Sequence, residues 1–171
     1  EHFQYKDAII EPKPVQQPLP LWIGGASQAA IRRTACIGNG WLGGLHTPEM
    51  AGEVVAAIKV AAAEEGRTID DDHYGASFPF RFGNWDEPAV QSSLGLYRRD
   101  AVAWEPPDYF AVGDADTILD RLHAYMDRGV SKFVMRPLGD DEGEIMDQTR
   151  RLIDEVLPLV HGASVGPVAA S

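Results

Sequence analysis

The stretch Leu19-Pro20-Leu21-Trp22-Ile23-Gly24-Gly25-Ala26-Ser27 decides the predicted fold. A short apolar run that ends directly in two glycines is typical of a buried parallel strand followed by a tight turn. Ser27 then caps a helix predicted to run to about Ile37, where Gly38 ends it. The three prolines between positions 12 and 18 exclude a helix before the strand. The stretch therefore predicts a strand, a turn and a helix, the repeating unit of a parallel α/β protein.

The same alternation continues along the first half of the chain. Gly40 to Gly43 forms a second short strand, and Thr47-Pro48-Glu49 starts a helix that runs to Glu65. A third strand spans Tyr74 to Phe82, although Pro79 favours an edge position or a bulge for part of it.

The second half repeats the pattern after an interruption. Asp114 or Asp116 caps a helix that Gly129 ends, and Val130 to Met135 forms a fourth strand. A last helix from about Glu142 to Leu157 has its inward face predicted from helical spacing, and Pro158 weakens its end. The positions predicted to face inward are Ile145, Thr149, Leu152, Ile153 and Val156. Four strand and helix units make half of a TIM (β/α)8 barrel, so we predict a partial barrel over residues 1–161.

Two segments fall outside this alternation. Residues 83–112 show no clean periodicity and are predicted to be an insertion or lid, with 88–99 compatible with a helix or two short helical turns. Residues 162–171 consist of small residues and are expected to be a disordered tail.

Composition bounds the class of protein. The 171 residues, 44% of them hydrophobic, suffice for one compact domain but fall short of the ~250 residues of a complete barrel. The net charge of -11 argues against nucleic acid and against anionic membrane surfaces as partners. Cys36 is the single cysteine, so no internal disulfide is possible, and no run approaches the ~20 apolar residues of a membrane span. A reducing, cytoplasmic location is expected.

The start of the chain gives one more expectation. Residue 1 is Glu rather than Met, and the first residues lack both the basic start and the apolar run of a signal peptide. We therefore expect the chain to begin inside a longer reading frame.

The turn Gly24-Gly25-Ala26-Ser27 is the clearest candidate for chemistry. A strand that passes through glycines into a capped helix gathers free backbone N–H groups at the positive end of the helix dipole, which suits a phosphate. A plain turn with a capped helix is equally consistent with these residues.

Three stretches resemble the luciferase-like monooxygenase family. The first runs from Pro12 to Ser27, similar to the family's proline-rich segment and its I-W-I-G-G-x-S strand and turn. The second is Gly38-Asn39-Gly40-Trp41, similar to the family's G-D-G-W strand, and the third lies between Val112 and Val134. Together they cover roughly residues 10 to 160.

The resemblance implies the C-terminal half of a TIM-like barrel that binds FMN or the deazaflavin coenzyme F-420, with hydride or monooxygenation chemistry on a small-molecule substrate. It implies that cofactor-phosphate contacts come from Gly24, Gly25, Ala26, Ser27 and Gln28, with further backbone contacts from Gly43 and Gly44. The catalytic acid or base of the family is mostly contributed by earlier strands, so we assign none here. The composition resembles the deazaflavin-using branch more than the luciferase branch.

Four other side chains are candidates on position alone. His46, two residues past Gly44, faces either the phosphate or the flavin edge, or is a surface histidine beside the Thr47 cap. Arg136 follows the last strand, where it binds an anionic substrate or forms a surface ion pair, and Arg81 is a further candidate of this kind. Trp22 is more typical of a core residue than of a cofactor stack.

Three motifs are set aside. Residues 162–166 match a nucleophile elbow without the strand and helix that such a turn needs. The acidic run Asp70-Asp71-Asp72-His73 is more typical of a solvated loop than of a cation site, and Cys36 is expected to be packed and inert.

Two other functions fit the same residues. One is a non-catalytic α/β interaction module whose acidic surface serves a protein partner. The other is a barrel hydrolase or isomerase that binds a phosphorylated substrate at the same turn. A half-barrel also leaves two sheet edges unpaired, so we expect the chain to associate with the missing N-terminal half or with a second copy.

Overall fold

The computed structural model describes residues 4–9, 11–97 and 105–162, which form an α/β structure around one five-stranded parallel sheet. The strands are Trp22–Gly24 (β1), Gly40–Gly43 (β2), Tyr74–Phe82 (β3), Ala111–Gly113 (β4) and Lys132–Pro137 (β5). The α-helices are Gln28–Ile37 (α1), Pro48–Glu64 (α2), Pro88–Tyr97 (α3), Pro106–Tyr109 (α4), Ala115–Met126 (α5), Glu142–Arg151 (α6) and Leu157–Gly162 (α7). The predicted alternation of strand and helix is confirmed.

The long strand β3 organises the sheet. One of its edges pairs with β2 at residues 74–76 and with β4 at residues 80–82, while its other edge pairs with β5 at residues 75–80. β1 completes the sheet by pairing with β2. The sheet is therefore four strands wide, in the order β1, β2, β3, β5, as expected for half of an eight-stranded barrel.

Pro79 lies inside this central strand, so the expectation of an edge or bulge was wrong. The carbonyls of Tyr74 and Phe80 accept hydrogen bonds from residues on the β5 side, and backbone polarity alternates along a parallel strand. The position of the missing N–H of Pro79 therefore faces the other edge. There β2 has ended at the level of Ala76 and β4 begins only at that of Phe80. The proline occupies the gap between two strands, where the ladder needs no donor.

The core lies between the sheet and its helices. Alternate residues of β3 from Tyr74 to Phe82 are buried there, and the Phe78 ring stacks on the Tyr125 ring of α5 at 5.4 Å. On the opposite face of the sheet, Val134 is 47% exposed and Trp22 is 37% exposed. Trp22 is therefore not a core residue of this chain, contrary to its expected role, because the described residues supply no layer over that face.

The helix ends follow the predicted capping residues. Ser27, Thr47 and Asp114 each accept a hydrogen bond from a first-turn amide of the helix that follows. The C-terminal end of α1 lacks a basic residue of its own, and Arg67 donates to the carbonyls of Ala35 and Gly38 instead. Such a cation satisfies carbonyls that a helix end leaves without partners.

The segment predicted as an insertion contains α3, which lies within the stretch 88–99 where a helix was considered possible. It also contains α4 and most of the short strand β4, which the sequence analysis did not predict. Its two ends are joined by a hydrogen bond of 3.0 Å from the amide of Gly83 to the carbonyl of Gly113. A second small apolar cluster is built on this segment. Its buried members are Val90, Phe110, Val112 and Leu138.

The last helix is longer than predicted and changes its winding. Residues Leu152–Val156 form a π-helical turn between α6 and α7, and Pro158 lies in the first turn of α7. A proline is tolerated there because its missing N–H falls where the hydrogen-bond register returns from π to α. Ile145 and Ile153 are exposed, so the predicted inward face was wrong at these two positions, and Gln148 is buried instead. The expected tail lies outside the described residues from 163 onward.

No helix in the described part of the chain combines the length and the apolarity that crossing a bilayer requires.

Gln148 fixes α6 to the end of β3. Its amide oxygen accepts from the Phe82 N–H at 2.7 Å, and its amide nitrogen donates to the Phe82 carbonyl at 3.2 Å. We predict that Gln148→Leu lowers the free energy of unfolding by about 2–4 kcal/mol, because two buried backbone groups lose their partners. Urea unfolding measures this. Gln91→Leu is the control, since the exposed Gln91 also makes one amide hydrogen bond, and an equal loss in both variants would contradict the prediction.

Candidate functional site

The carboxyl ends of the parallel strands meet at one edge of the sheet, as they do in every parallel barrel. We define this carboxyl edge by four loops, residues 24–27 after β1, 43–46 after β2, 83–87 after β3 and 138–141 after β5. All the residues predicted to contact the cofactor lie in the first two loops or, for Gln28, at the first position of α1.

The turn between β1 and α1 is built around one glycine. Gly25 has φ +92°, a backbone conformation that side-chain-bearing residues rarely adopt. The Ser27 hydroxyl accepts from the Ala30 amide at 3.2 Å, so its own proton is available to donate. The next amides in the turn, of Gln28 and Ala29, have no acceptor within the described part of the chain. The turn therefore presents N–H groups and a hydroxyl to solvent.

First-turn charge distinguishes α1 from the helices that follow β2, β4 and β5. α3, which follows β3, also has no acidic residue in its first turn, but the Glu87 carboxylate lies directly before it and binds Arg81. The helices that follow β2, β4 and β5 all carry carboxylates in their first turn, at Glu49, Asp116, and Glu142 with Glu144. α1 has none there. Acidic residues neutralise the positive end of a helix dipole, so α1 is the helix of these four whose N-terminus remains suited to an anion.

Trp41 connects the first loop to the second. Its buried indole donates to the carbonyl of Gly25 at 2.9 Å. A Cβ atom at Gly43 would lie 2.6 Å from the same indole ring, whereas one at Gly44 would meet nothing within 4 Å. Gly43 is therefore needed for packing on Trp41, while Gly44 leaves open space at the carboxyl edge.

The His46 ring packs edge-to-face against this tryptophan. The two ring centroids are 5.6 Å apart with the planes inclined at 70°, and the carbonyl of His46 accepts a hydrogen bond from the Tyr125 hydroxyl. The His46 Nδ1 atom is buried and has no hydrogen-bond partner among the described residues. Burial lowers the pKa of His46 below 6.5. A neutral imidazole and the carbonyl of Gly25 thus both contact the Trp41 indole.

The two arginine candidates have different environments. Arg136 is half-buried in β5, opposite Pro79 of β3. Arg81, the residue before the last in β3, has an exposed fraction of 9% and binds the carboxylates of Glu87 and Glu144. Sequence analysis missed this cluster because Glu144 lies 63 residues from Arg81 and only the register of β3 with β5 brings the two segments together.

The motifs set aside lie away from this edge or outside the described residues. Carboxylate oxygens of Asp70 and Asp72 and a ring nitrogen of His73 lie within 4.8 Å of one another, but at the start of β3, the opposite end of the sheet. Cys36 is half-buried in α1. Residues 163–166 of the elbow-like motif are not described.

An apolar cavity of about 880 Å³ lies elsewhere, on the helix side of the sheet between α5, β5 and α7. Leu122, Phe133, Met135 and Leu157 are among its lining residues. Its lining includes Asp71, near the amino end of β3, and none of the predicted contact residues lines it.

The element order and the parallel sheet define the chain as half of a (β/α)8 barrel. The chain belongs to the luciferase-like monooxygenase family, whose sequence model matches residues 1–107. The family predicted from the sequence is thereby confirmed.

Solved structures of the same architecture agree with this assignment. An F-420-dependent secondary alcohol dehydrogenase bound to an F-420–acetone adduct superposes with a TM-score of 0.66 at 15% identity, covering 92% of this chain and 53% of its own. EDTA monooxygenase from Chelativorans sp. BNC1 gives a TM-score of 0.62 at 16% identity, with 98% and 50% covered. The FMN-bound oxygenating constituent of 3,6-diketocamphane monooxygenase from Pseudomonas putida gives 0.61 at 14% identity, with 80% and 47% covered.

These similarities show the fold and its extent. The chain spans about half the length of the solved structures that it matches. The predicted partial barrel is thus confirmed.

The pKa of His46 generates a prediction about stability. The pKa of His46 in the folded state lies below the unfolded value of 6.5. Between these two pKa values the folded chain binds fewer protons than the unfolded chain. The free energy of unfolding therefore falls as the pH drops from the unfolded pKa to the folded pKa. We predict that His46→Gln makes the free energy of unfolding less dependent on pH between about pH 7.5 and about pH 5. Urea unfolding at both pH values measures the effect, and equal pH dependence in the two proteins would contradict it.

Proposed function

We propose that the protein is a flavin- or deazaflavin-dependent oxidoreductase or monooxygenase, in which this chain supplies the cofactor-phosphate turn and part of the barrel mouth. The observation that carries the proposal is the N-terminus of α1, which presents unpartnered amides and lacks a first-turn carboxylate. A phosphate group is the kind of anion that such a helix end favours.

The cofactor class follows from the family and from its solved members. One similar structure holds an F-420 adduct and another holds FMN, and both are redox enzymes. FMN and F-420 each carry a phosphate on a ribityl chain beside a planar ring system, so one phosphate turn serves both. We therefore propose FMN or F-420 as the cofactor of the complete protein.

The residues of this chain bind and orient that cofactor. In the proposal, Gly24, Gly25, Ala26, Ser27 and Gln28 contact the phosphate through main-chain amides and the Ser27 hydroxyl. Gly44 lets the cofactor approach the second loop because it places no side chain there, and Gly43 allows Trp41 to pack beneath. The flavin or deazaflavin ring supplies the redox chemistry when bound, while the protein supplies position and electrostatics.

His46 and Arg136 have proposed polar roles at this edge. A neutral imidazole with a buried, unpartnered Nδ1 atom gains a hydrogen bond when a ligand group or an ordered water reaches it. Arg136 lies on the same face of β5 as the exposed Val134, since alternate residues of a strand share a face. Its cationic group therefore suits an anionic substrate or the tail of the cofactor.

The segment 83–112 is proposed to select the substrate. It begins and ends at the carboxyl edge, where Gly83 and Gly113 are hydrogen-bonded, and its apolar cluster includes Leu45 from the second loop. Segments that cover a barrel mouth vary freely in sequence without affecting the strands, which is why they carry specificity. A small-molecule substrate is the partner implied.

The open face of the sheet is proposed to be covered by another four-stranded unit. Within the described residues β1 pairs only with β2, and β5 only with β3. Unpaired edges and an exposed Trp22 and Val134 favour association with the missing N-terminal half of the barrel or with a second copy. Sedimentation of the chain alone tests this, because a stable 18.7 kDa monomer with cooperative unfolding would contradict it.

We predict that the full-length protein binds FMN or F-420 with a dissociation constant in the micromolar range or tighter, because the turn is preformed. Quenching of cofactor fluorescence during titration measures this. The chain alone is expected to bind much more weakly and to lack activity. Binding of neither cofactor by the full-length protein would contradict the proposal and leave an interaction module, or a hydrolase or isomerase acting on a phosphorylated substrate.

A pair of glycine variants locates the binding. Gly25→Ala and Gly66→Ala both place a side chain on a backbone with positive φ, at +92° and +67° respectively. Each substitution strains the backbone by about 1–2 kcal/mol, but Gly66 lies past the C-terminal end of α2, remote from the carboxyl edge. We expect only Gly25→Ala to weaken cofactor binding, and equal affinities in the two variants would exclude the turn as the phosphate site.

A further inference from the structure

Arg81 uses its whole guanidinium group inside the protein. Its Nε donates to Glu87 at 2.8 Å, and its Nη2 lies 2.7 Å from the same carboxylate oxygen. Its Nη1 donates to the carbonyl of Leu138 and to the carboxylate of Glu144, both at 2.8 Å. With every nitrogen engaged and the side chain 11% exposed, Arg81 is poorly placed to bind a substrate directly.

The carboxylates that hold Arg81 also hold their own loops. The second oxygen of Glu87 accepts from the Asn84 amide at 2.6 Å, which closes the turn that leads into α3. Glu144 accepts from the Asp140 amide at 3.2 Å, in the loop that leads into α6. Arg81 therefore joins the start of segment 83–112 to the loop after β5.

Leu138 extends this connection to the second loop. Arg81 binds its carbonyl, and its side chain belongs to the buried apolar cluster with Val90 and Val112. Leu45 packs against that cluster, and it stands between Gly44 and His46. A continuous set of contacts thus runs from the guanidinium through Leu138 to the loop at residues 43–46.

The charges make the arrangement depend on Arg81. One cation lies between two carboxylates, and hydrogen bonding to the Arg81 guanidinium lowers the pKa of Glu144. Asp140 and Asp141 add negative charge in the same loop. Without the guanidinium, Glu87 and Glu144 would repel each other, and the two loops would lose the group that joins them.

We infer that Arg81 is a positioning residue that fixes the loop at residues 43–46 by holding Leu138 and the start of segment 83–112 in place. The link between Arg81 and the loop stands on contacts alone. Its consequence for cofactor affinity rests on the proposed function.

Hydrogen–deuterium exchange of the full-length protein without ligand tests the link. We expect Arg81→Met to speed amide exchange about tenfold in residues 43–46 as well as in residues 83–87, because both loops open more often. Arg81→Lys restores the charge without the fork and should give an intermediate rate. Arg150→Met is the matched control, since Arg150 pairs with Asp147 at 2.7 Å on the exposed surface of α6, and it should leave both loops unchanged.

Faster exchange confined to residues 83–87 in Arg81→Met would overturn the inference, because the guanidinium would then hold only its own neighbours. Unchanged exchange in both loops would also overturn it. If Arg81→Met fails to fold, Arg81→Lys and Glu144→Gln decide by the same comparison.

Titration with FMN tests whether the loop at residues 43–46 affects cofactor affinity. Arg81→Met and Leu45→Ala should each raise the FMN dissociation constant about fivefold to tenfold. The dissociation constant of the double variant should not exceed the larger of the two single-variant values, because both substitutions act through one loop. If the two increases in the dissociation constant multiply in the double variant, Arg81 and Leu45 do not act through the same loop. If the parent protein binds no FMN, the proposed function fails, while the exchange experiment still decides the role of Arg81.

Discussion

The parallel register of β3 with its neighbours is the constraint from which the rest of the structure follows. β3 is paired along both edges, and its side chains alternate between the face that packs on the helices and the opposite face of the sheet. Tyr74, Phe78 and Phe82 enter the core, while Arg81 reaches the carboxyl edge from the opposite face. A shift of one residue would exchange these sets and bury the guanidinium among aromatic rings.

The register also explains why the candidate residues meet. Gly25 and His46 are separated by a helix and a strand in sequence, yet both contact Trp41. Trp41 in turn is held in register with Tyr74 of β3. The turn at residues 24–27 is therefore shaped by the sheet as much as by its own glycines.

Local signals in the sequence predicted the elements well. Ser27, Thr47 and Asp114 cap helices because a short polar side chain satisfies a first-turn amide, which needs no tertiary context. The signal for the turn after β1 is local for the same reason, since Gly25 and Ser27 lie directly after the strand that ends there.

The missed features depend on contacts distant in sequence. Pro79 was assigned to an edge because its propensity cannot reveal a gap between β2 and β4. The burial of Gln148 and the ion pairs of Arg81 likewise require β3 and α6 to meet across more than 60 residues of chain. Trp22 was expected in a core because its apolar run indicates a buried strand, whereas the described residues leave its face of the sheet uncovered.

A crystal structure of the full-length protein with FMN or F-420 bound tests the central claim most directly. The account predicts phosphoryl oxygens within hydrogen-bond distance, about 2.7–3.2 Å, of main-chain amides between Gly25 and Ala29 and of the Ser27 hydroxyl. A cofactor whose phosphate lies against other residues, with the N-terminus of α1 facing only water, would contradict it.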